Sequence, residues 1–278
     1  MATNISDTFQ RQNAQSINYA FSKQSELYDR HDQSNPVLQA MRQQVYEHVE
    51  RYLPSNANIL ELNAGTGIDA LHFITRGHKV FATDLSDGMI FQLKQKQKIH
   101  RLENQLRVQQ VSYDQLNELS GTEKFDFIFS NFGGLNCISD LTKVTRHFPA
   151  FLKPGSYLTV VIMPPVCPWE LASIFKGKFG HAFRRLRKNG TRAQLEGESF
   201  QTYYHSLQRI RSAFGRNFQF ISSEGLAALS PQPHHRNFPQ KFPLIYKVLN
   251  KADGVFRKSF PFNRWADHII VTFRYFPK

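Results

Sequence analysis

Sulfur is scarce in this chain, whose 278 residues include two cysteines, Cys137 and Cys167, and four methionines. Two cysteines make no disulfide framework, and neither sits in a CxxC pair or a His-rich neighbourhood. Neither a redox centre nor a cysteine-based zinc site is therefore supported, both residues read as packing groups, and no metal is expected. No apolar run reaches the length of a membrane span. The start, residues 1–15, is polar and has no positive end leading into an apolar stretch, which argues against a secretory signal and for a cytoplasmic protein. Internal repeats and low-complexity tracts are also missing. Hydrophobic residues at 41% and charged residues at 21% exclude pervasive disorder, a coiled coil and a collagen-like chain. The length suits one large domain or two small ones.

Acidic residues run short in one place only. Residues 1–165 carry 16 basic and 16 acidic side chains, and residues 166–278 carry 19 basic against 6 acidic, so the last 113 residues hold the whole net charge of +13. A field confined to one part of a chain speaks of anionic partners rather than of stability.

Short apolar runs at 58–62, 79–83, 125–129 and 157–162 alternate with helix-like stretches at 69–75, 89–102 and 141–151. A weaker run at 106–111 precedes the run at 125–129. This alternation predicts βαβ units and a parallel sheet covered on both faces. Pro154 and Gly155 punctuate the entry to the strand at 157. Before the sheet, one helix is expected with Tyr19, Phe21, Leu27 and Tyr28 turned inward, then an amphipathic helix over 37–52. After Pro164-Pro165, residues 169–186 set Leu171, Phe175, Phe179, Ala182 and Phe183 at helical spacing among Lys176, Lys178, Arg184, Arg185 and Arg187, which predicts a basic amphipathic helix. Two further strands are expected at 217–222 and 268–273, separated by a Pro-rich loop and a helix over 244–256. The expected organisation is a single domain: helical cap 1–36, core 37–165, basic aromatic lid 166–215, and C-terminal strand pair with its helix 216–278.

The sharpest local signal follows the first strand: Glu61-Leu62-Asn63-Ala64-Gly65-Thr66-Gly67-Ile68-Asp69-Ala70. Glycines let a strand turn sharply into a helix and let a ligand reach the main chain, while the helix start offers free N–H groups. Asn63 tolerates a left-handed backbone. Asp84, 19 residues beyond Gly65, closes the second strand, where a carboxylate can accept from both hydroxyls of a ribose. A nucleoside-containing cofactor is indicated. The residues alone leave two open, because Gly65-x-Gly67-x-x-Ala70 also satisfies the dinucleotide fingerprint and so admits a nicotinamide cofactor.

These residues resemble the class I S-adenosylmethionine-dependent methyltransferases over about residues 20–165, and more loosely through the C-terminal strand pair. The resemblance implies a Rossmann-like α/β fold with a seven-stranded, mostly parallel sheet in the order 3-2-1-4-5-7-6, helices on both faces and a helical lid insertion. It also implies S-adenosylmethionine as cofactor. Glu61, Asn63, Ala64, Gly65 and Gly67 match the family's acidic strand end and Gly-rich loop, with Asn63 where the first glycine is usual. Asp84 matches the ribose-binding acid, and the stretch from Leu85 to Met89 matches residues that flank the adenine. Ser112 and Tyr113 fall in the adenine-binding loop, where the family often has an acid, and Asp114 could supply one two residues on. Tyr28-Asp29 resembles the N-terminal tyrosine pair that caps the pocket in the quinone-biosynthesis-like, small-molecule branch. Leu152-Lys153-Pro154-Gly155, resembling the family's turn into the fifth strand, favours this family over a nicotinamide enzyme.

Ligands of open α/β sheets sit outside the carboxyl ends of the strands, which puts the stretch from Asn131 and Phe132 to Asn136, after the fourth strand, and that from Pro164 to Trp169, after the fifth, beside the transferable methyl. The segment from Ser130 to Asn136 lacks the Asn-Pro-Pro-aromatic signature of methylation on nucleic-acid bases. In the lid, Tyr203, Tyr204 and His205 are the candidates for a catalytic base, the alternative being that the tyrosines pack and His205 faces water. His234-His235 reads as a solvated loop rather than a metal site. The basic C-terminal part admits a solvated face, RNA binding or RNA modification, or contact through 169–188 with an anionic ligand or a membrane surface. One-sided alignment of Phe175, Phe179 and Phe183 ranks nucleic acid behind a small, amphiphilic or anionic substrate.

Overall fold

The computed structural model describes residues 2–113, 115–121 and 123–277. Asp114 lies outside them. A seven-stranded sheet runs in the order β3(Leu106–Gln110), β2(Lys79–Asp84), β1(Asn58–Leu62), β4(Phe125–Ser130), β5(Leu152–Ile162), β9(His268–Tyr275), β8(Phe218–Leu226). The first five are parallel. β9 is antiparallel to both neighbours. This is the expected order, with two extra strands of a separate hairpin, β6(Thr191–Leu195) and β7(Glu198–Thr202), between β5 and β8 in the chain.

The central strands are apolar on both faces because helices cover both, which gives two cores. One gathers Leu60, Phe81, Ile128, Leu158 and Phe273. The other gathers Val45, Ile59, Phe73, Phe127 and Phe129. α1(Ala2–Gln33) leads into α2(Pro36–Val49), whose start is fixed by Pro36 and by the Asn35 side chain accepting from the N–H groups of Val37 and Leu38. α3(Ile68–Thr75) follows β1, and α4(Asp87–Ile99), capped by Ser86 Oγ, follows β2.

The structure corrects several expectations. Tyr19 and Leu27 point outward, at 62% and 45% exposure. α2 ends at Val49 rather than 52. The helix expected over 141–151 is two single turns, Thr142–Thr145 and Phe148–Phe151, since Pro149 offers no N–H to continue the first. The expected helix over 169–186 breaks into short turns, with Gly177 at φ +69° stopping one of them. Phe175, Phe179 and Phe183 are exposed, so they do not form the stripe of one continuous helix. The hairpin is unexpected: its turn, Glu196-Gly197, puts both residues at positive φ, but Glu-Gly is not one of the usual pairs there. No helix among the described residues is long and apolar enough to cross a membrane.

Candidate functional site

The chain leaves β1 through three left-handed residues, Asn63 (φ +48°), Gly65 (+57°) and Gly67 (+84°). Gly67 is best served by glycine, because φ +84° strains any side chain and a Cβ there would also lie 2.1 Å from Cδ1 of the buried Leu93. Ala64 N–H donates to Thr83 O (2.9 Å), so the loop hangs from the end of β2. Asp84 completes that tie, its Oδ2 accepting from Gly65 N–H and its Oδ1 from Ser86 N–H, both at 2.8 Å. Burial pushes the Asp84 carboxyl up and these main-chain donors pull it back. Each oxygen keeps a further lone pair for an incoming hydroxyl.

Glu61, the fourth residue of β1, is 1% exposed and its Oε2 has no hydrogen-bond partner. Burial drives its carboxyl well above the usual range, and the nearby Asp69 and Asp84 push the same way. Such an orphan is costly, and a cationic group delivered to the loop would relieve it. Asn63 does not aim at a ligand. Its Oδ1 accepts from Ser130 Oγ (2.6 Å) and its Nδ2 donates to Asn131 O (2.9 Å), binding the Gly-rich loop to the end of β4. A Cβ on Gly134 would fall 2.2 Å from Asn63 Cγ, so these two residues depend on each other.

Beyond β4, Asn131 and Phe132 are held by a buried polar cluster. Asn131 Nδ2 donates to Asp69 Oδ2 (2.9 Å), Tyr46 OH to Asp69 Oδ1 (2.6 Å), and the Arg42 guanidinium binds Asp69 and Asp32. Arg42 also lies 4.8 Å over the Phe132 ring. Tyr28 lies close enough to this cluster to feel Arg42, Asp32 and Asp69, and burial lifts its hydroxyl to about 12. α1 lies across the start of α4: the Asn18 side chain pairs with Asp87, and Ser22 Oγ meets Ser86 Oγ and Gly88 N–H at 2.9 Å each. Between α1 and the strand ends is a cavity of about 40 Å³ lined by Asn13, Leu85, Ser112, Tyr113, Cys137 and Tyr203. Met89 is buried, with its Sδ 3.9 Å from the Cβ position of Gly65.

On the other side of the β4 loop, the antiparallel register Ile162↔Ile269 carries the start of β9 to the carboxyl edge of the sheet. His268 Nδ1 bonds Asp267 Oδ2 (2.9 Å), and Asp267 Oδ1 takes bonds from Arg185 Nη2 (2.8 Å) and Gln232 Nε2 (2.7 Å). Burial alone would raise the Asp267 carboxyl, but His268 and Arg185 hold it well below the usual range. His268 Nε2 would be 3.3 Å from a Cβ on Gly133, and its ring meets Phe132 edge-on at 5.8 Å. Phe132 and Gly133 both have positive φ, and such backbone clusters at working sites. The Asp267-His268 pair escaped sequence reasoning because only the β5–β9 pairing brings it to this edge.

The three lid candidates sit differently from one another. Tyr203 N–H bonds Asn136 O (2.7 Å) and its side chain lines the cavity. The Tyr204 ring lies 5.2 Å beneath the Arg185 guanidinium, with its hydroxyl 3.3 Å from Thr191 Oγ1. His205 does not face water: it is wholly buried with Nε2 on Ile138 O (3.0 Å), and burial lowers it to about 4. Cys167, Glu170 and Asp267 offer ligand atoms within 4.8 Å of one another, but the Arg185 guanidinium bonds both carboxylates from between them. That cation already fills the role a metal would have.

Residues 59–155, from β1 into β5, match a family described as a methyltransferase domain. No curated protein matches the chain. Solved structures similar to it include 1,6-didemethyltoxoflavin-N1-methyltransferase of Burkholderia thailandensis, with bound 1,6-didemethyltoxoflavin and S-adenosylhomocysteine. It is 14% identical, with 96% of this chain and 90% of that one covered and a TM-score of 0.58. A SAM-dependent methyltransferase of Methanosarcina mazei is 15% identical, covering 84% and 99% at a TM-score of 0.55. Geranyl diphosphate C-methyltransferase of Streptomyces coelicolor A3(2) is 11% identical, covering 84% and 79% at 0.53. At these identities the likeness establishes the Rossmann-like fold.

Proposed function

We propose that the chain is an S-adenosylmethionine-dependent methyltransferase acting on a small molecule, amphiphilic or anionic, by in-line methyl transfer. The observation that carries this reading is the meeting of two adjacent turns, in which Gly65 and Ser86 N–H groups converge on Asp84 and the buried Glu61 Oε2 has no partner. The donor set fits such a cofactor: Asp84 would accept ribose hydroxyls, Glu61 would meet an ammonium, and Gly65 and Gly67 admit close approach of the main chain. Leu85, Met89, Ser112 and Tyr113 would flank the adenine, and Tyr28, Ala64, Asn131 and Phe132 would bound the other end. The methyltransferase-domain match supports this cofactor over a nicotinamide dinucleotide. The ligands named for two of the similar structures, 1,6-didemethyltoxoflavin and geranyl diphosphate, support a small acceptor.

When bound, the cofactor supplies a methyl group made electrophilic by a positively charged sulfur. The chain's own tasks are alignment and exclusion of water, for which the α1 roof and the Arg42 cluster hold the β4 loop in one position. His268, oriented by Asp267, would take the proton of an oxygen or nitrogen acceptor, and the Asp267 carboxylate would stabilise the resulting imidazolium. Isothermal calorimetry with S-adenosylhomocysteine tests the reading. Binding by the wild-type protein and its loss in Asp84→Ala are expected, and absence of binding, or equal binding by the two, refutes it.

A further inference from the structure

The helix Pro243–Phe256 has an inner side and an outer side that differ in kind. Inward, Tyr246 packs against the core, and buried Asp253 accepts from Leu229 N–H (2.8 Å), Ser230 N–H (2.9 Å) and Ser230 Oγ (2.5 Å), which fixes the helix to the body. Outward, Leu244, Val248, Lys251 and Val255 follow one another at i, i+4, i+7 and i+11, with Leu244 79%, Val248 66% and Val255 65% exposed. That is an apolar stripe, interrupted by Lys251, given to solvent by a well-anchored helix, which is not how an ordinary surface helix is built.

The broken lid segment shares this surface. Trp169 contacts the rings of His235 (5.4 Å) and Phe238 (5.7 Å), and Phe238 contacts Phe242 (5.2 Å), next to the helix start. Lys176 lies close enough to His235 to influence its charge, and Phe175 beside it is 93% exposed. Exposed basic residues surround these groups: Lys176, Lys178, Arg236, Lys241, Lys247 and Lys251. The acids in this region, Glu170 and Asp253, are buried and engaged, so no exposed carboxylate lies in 169–188 or 231–258.

We infer that this face docks on an anionic lipid bilayer, with the stripe of Pro243–Phe256 and Phe175 entering the headgroup boundary and the lysines meeting lipid phosphates. Basic charge with an apolar stripe is the combination that interfacial binding requires. A second copy of this chain is a poor occupant, since it would bring like charge against like. Nucleic acid is also a poorer fit, because Leu244, Val248 and Val255 are aliphatic and offer no ring for base stacking.

The test is flotation with vesicles of phosphatidylcholine alone and with added phosphatidylglycerol, using the full chain without cofactor, so that its outcome is separate from that of the methyltransferase reading. Binding to the anionic vesicles and its weakening with salt are expected. The Leu244→Glu, Val248→Glu variant should bind at least about tenfold more weakly, and Lys247→Ala about fivefold. Both positions of the double variant are largely exposed, and an unchanged Tm confirms that it folds. No binding to anionic vesicles, or equal binding by the double variant, overturns the proposal. So does competition by mixed RNA that the double variant resists equally well, or a wild-type dimer that this variant dissolves.

Discussion

Glu61→Gln should move stability and cofactor affinity in opposite directions. In the free protein the Glu61 carboxyl is buried, partnerless at Oε2, and raised well above its ordinary value of 4.5. A raised carboxyl means that the folded state holds a proton the unfolded chain has released, so its contribution is complete below pH 4.5 and is lost as pH rises. Each pH unit above 4.5 costs about 1.4 kcal/mol until the folded-state value is reached, which sets a ceiling of about 3.5 kcal/mol at pH 7. A buried amide and a buried neutral acid carry similar polar groups, so replacing one by the other mainly removes that cost. The variant should therefore melt higher at pH 7, by about 2–4 °C per kcal/mol recovered, with the gain vanishing near pH 4.5. Affinity should fall, because an ammonium partner bonded to a carboxylate contributes about 1.5–3 kcal/mol, or roughly 10- to 150-fold in Kd. Differential scanning fluorimetry across pH, paired with calorimetric titration of S-adenosylhomocysteine, measures both. A variant less stable at pH 7, or one with unchanged Kd, refutes the reasoning.

Gly134→Ala should destabilise by roughly 1–3 kcal/mol, since its Cβ would run into Asn63, and adding Asn63→Gly should restore most of the loss. Chemical denaturation of the two single variants and the double gives the coupling, and simple additivity would count against the pairing. Arg185→Met should cost about 3–5 kcal/mol by removing the buried cation that Glu170 and Asp267 share, which leaves Glu170 with Arg184 and Asp267 with His268 and Gln232, and a loss below about 1 kcal/mol would mean that the pair does not depend on it. With an acceptor found by screening small molecules for turnover, His268→Asn should lower kcat about 10²- to 10⁴-fold and leave the Kd of S-adenosylhomocysteine unchanged. An unaltered kcat would remove His268 from the reaction.

Much of the N-terminal half is legible from local pattern. A strand buried on both faces is a short apolar run, a helix start needs a cap, and a backbone at positive φ needs glycine or asparagine, so β1, the residues from Asn63 to Gly67, Asp84 and the parallel direction of the first five strands follow from neighbouring residues, whereas the strand order was an expectation from the resemblance. Asn63 shows the limit. Its left-handed backbone was foreseeable, whereas its hold on Ser130 and Asn131 was not, because those partners are about 67 residues away.

The C-terminal part was decided by the tertiary structure. The periodicity of 169–186 fits a helix, but Gly177 and the ion pairs of Arg184 and Arg185 with Glu170 fold it into short turns that keep Phe175 and Phe179 in solvent. Asp267 and His268 are an unremarkable dipeptide until β9 pairs with β5 and sets them beside Gly133. Local sequence records which face of an element is to be buried, since that depends on spacing along the chain. Which distant side chains then meet depends on strand register and loop closure, and these are settled only when the whole sheet has formed.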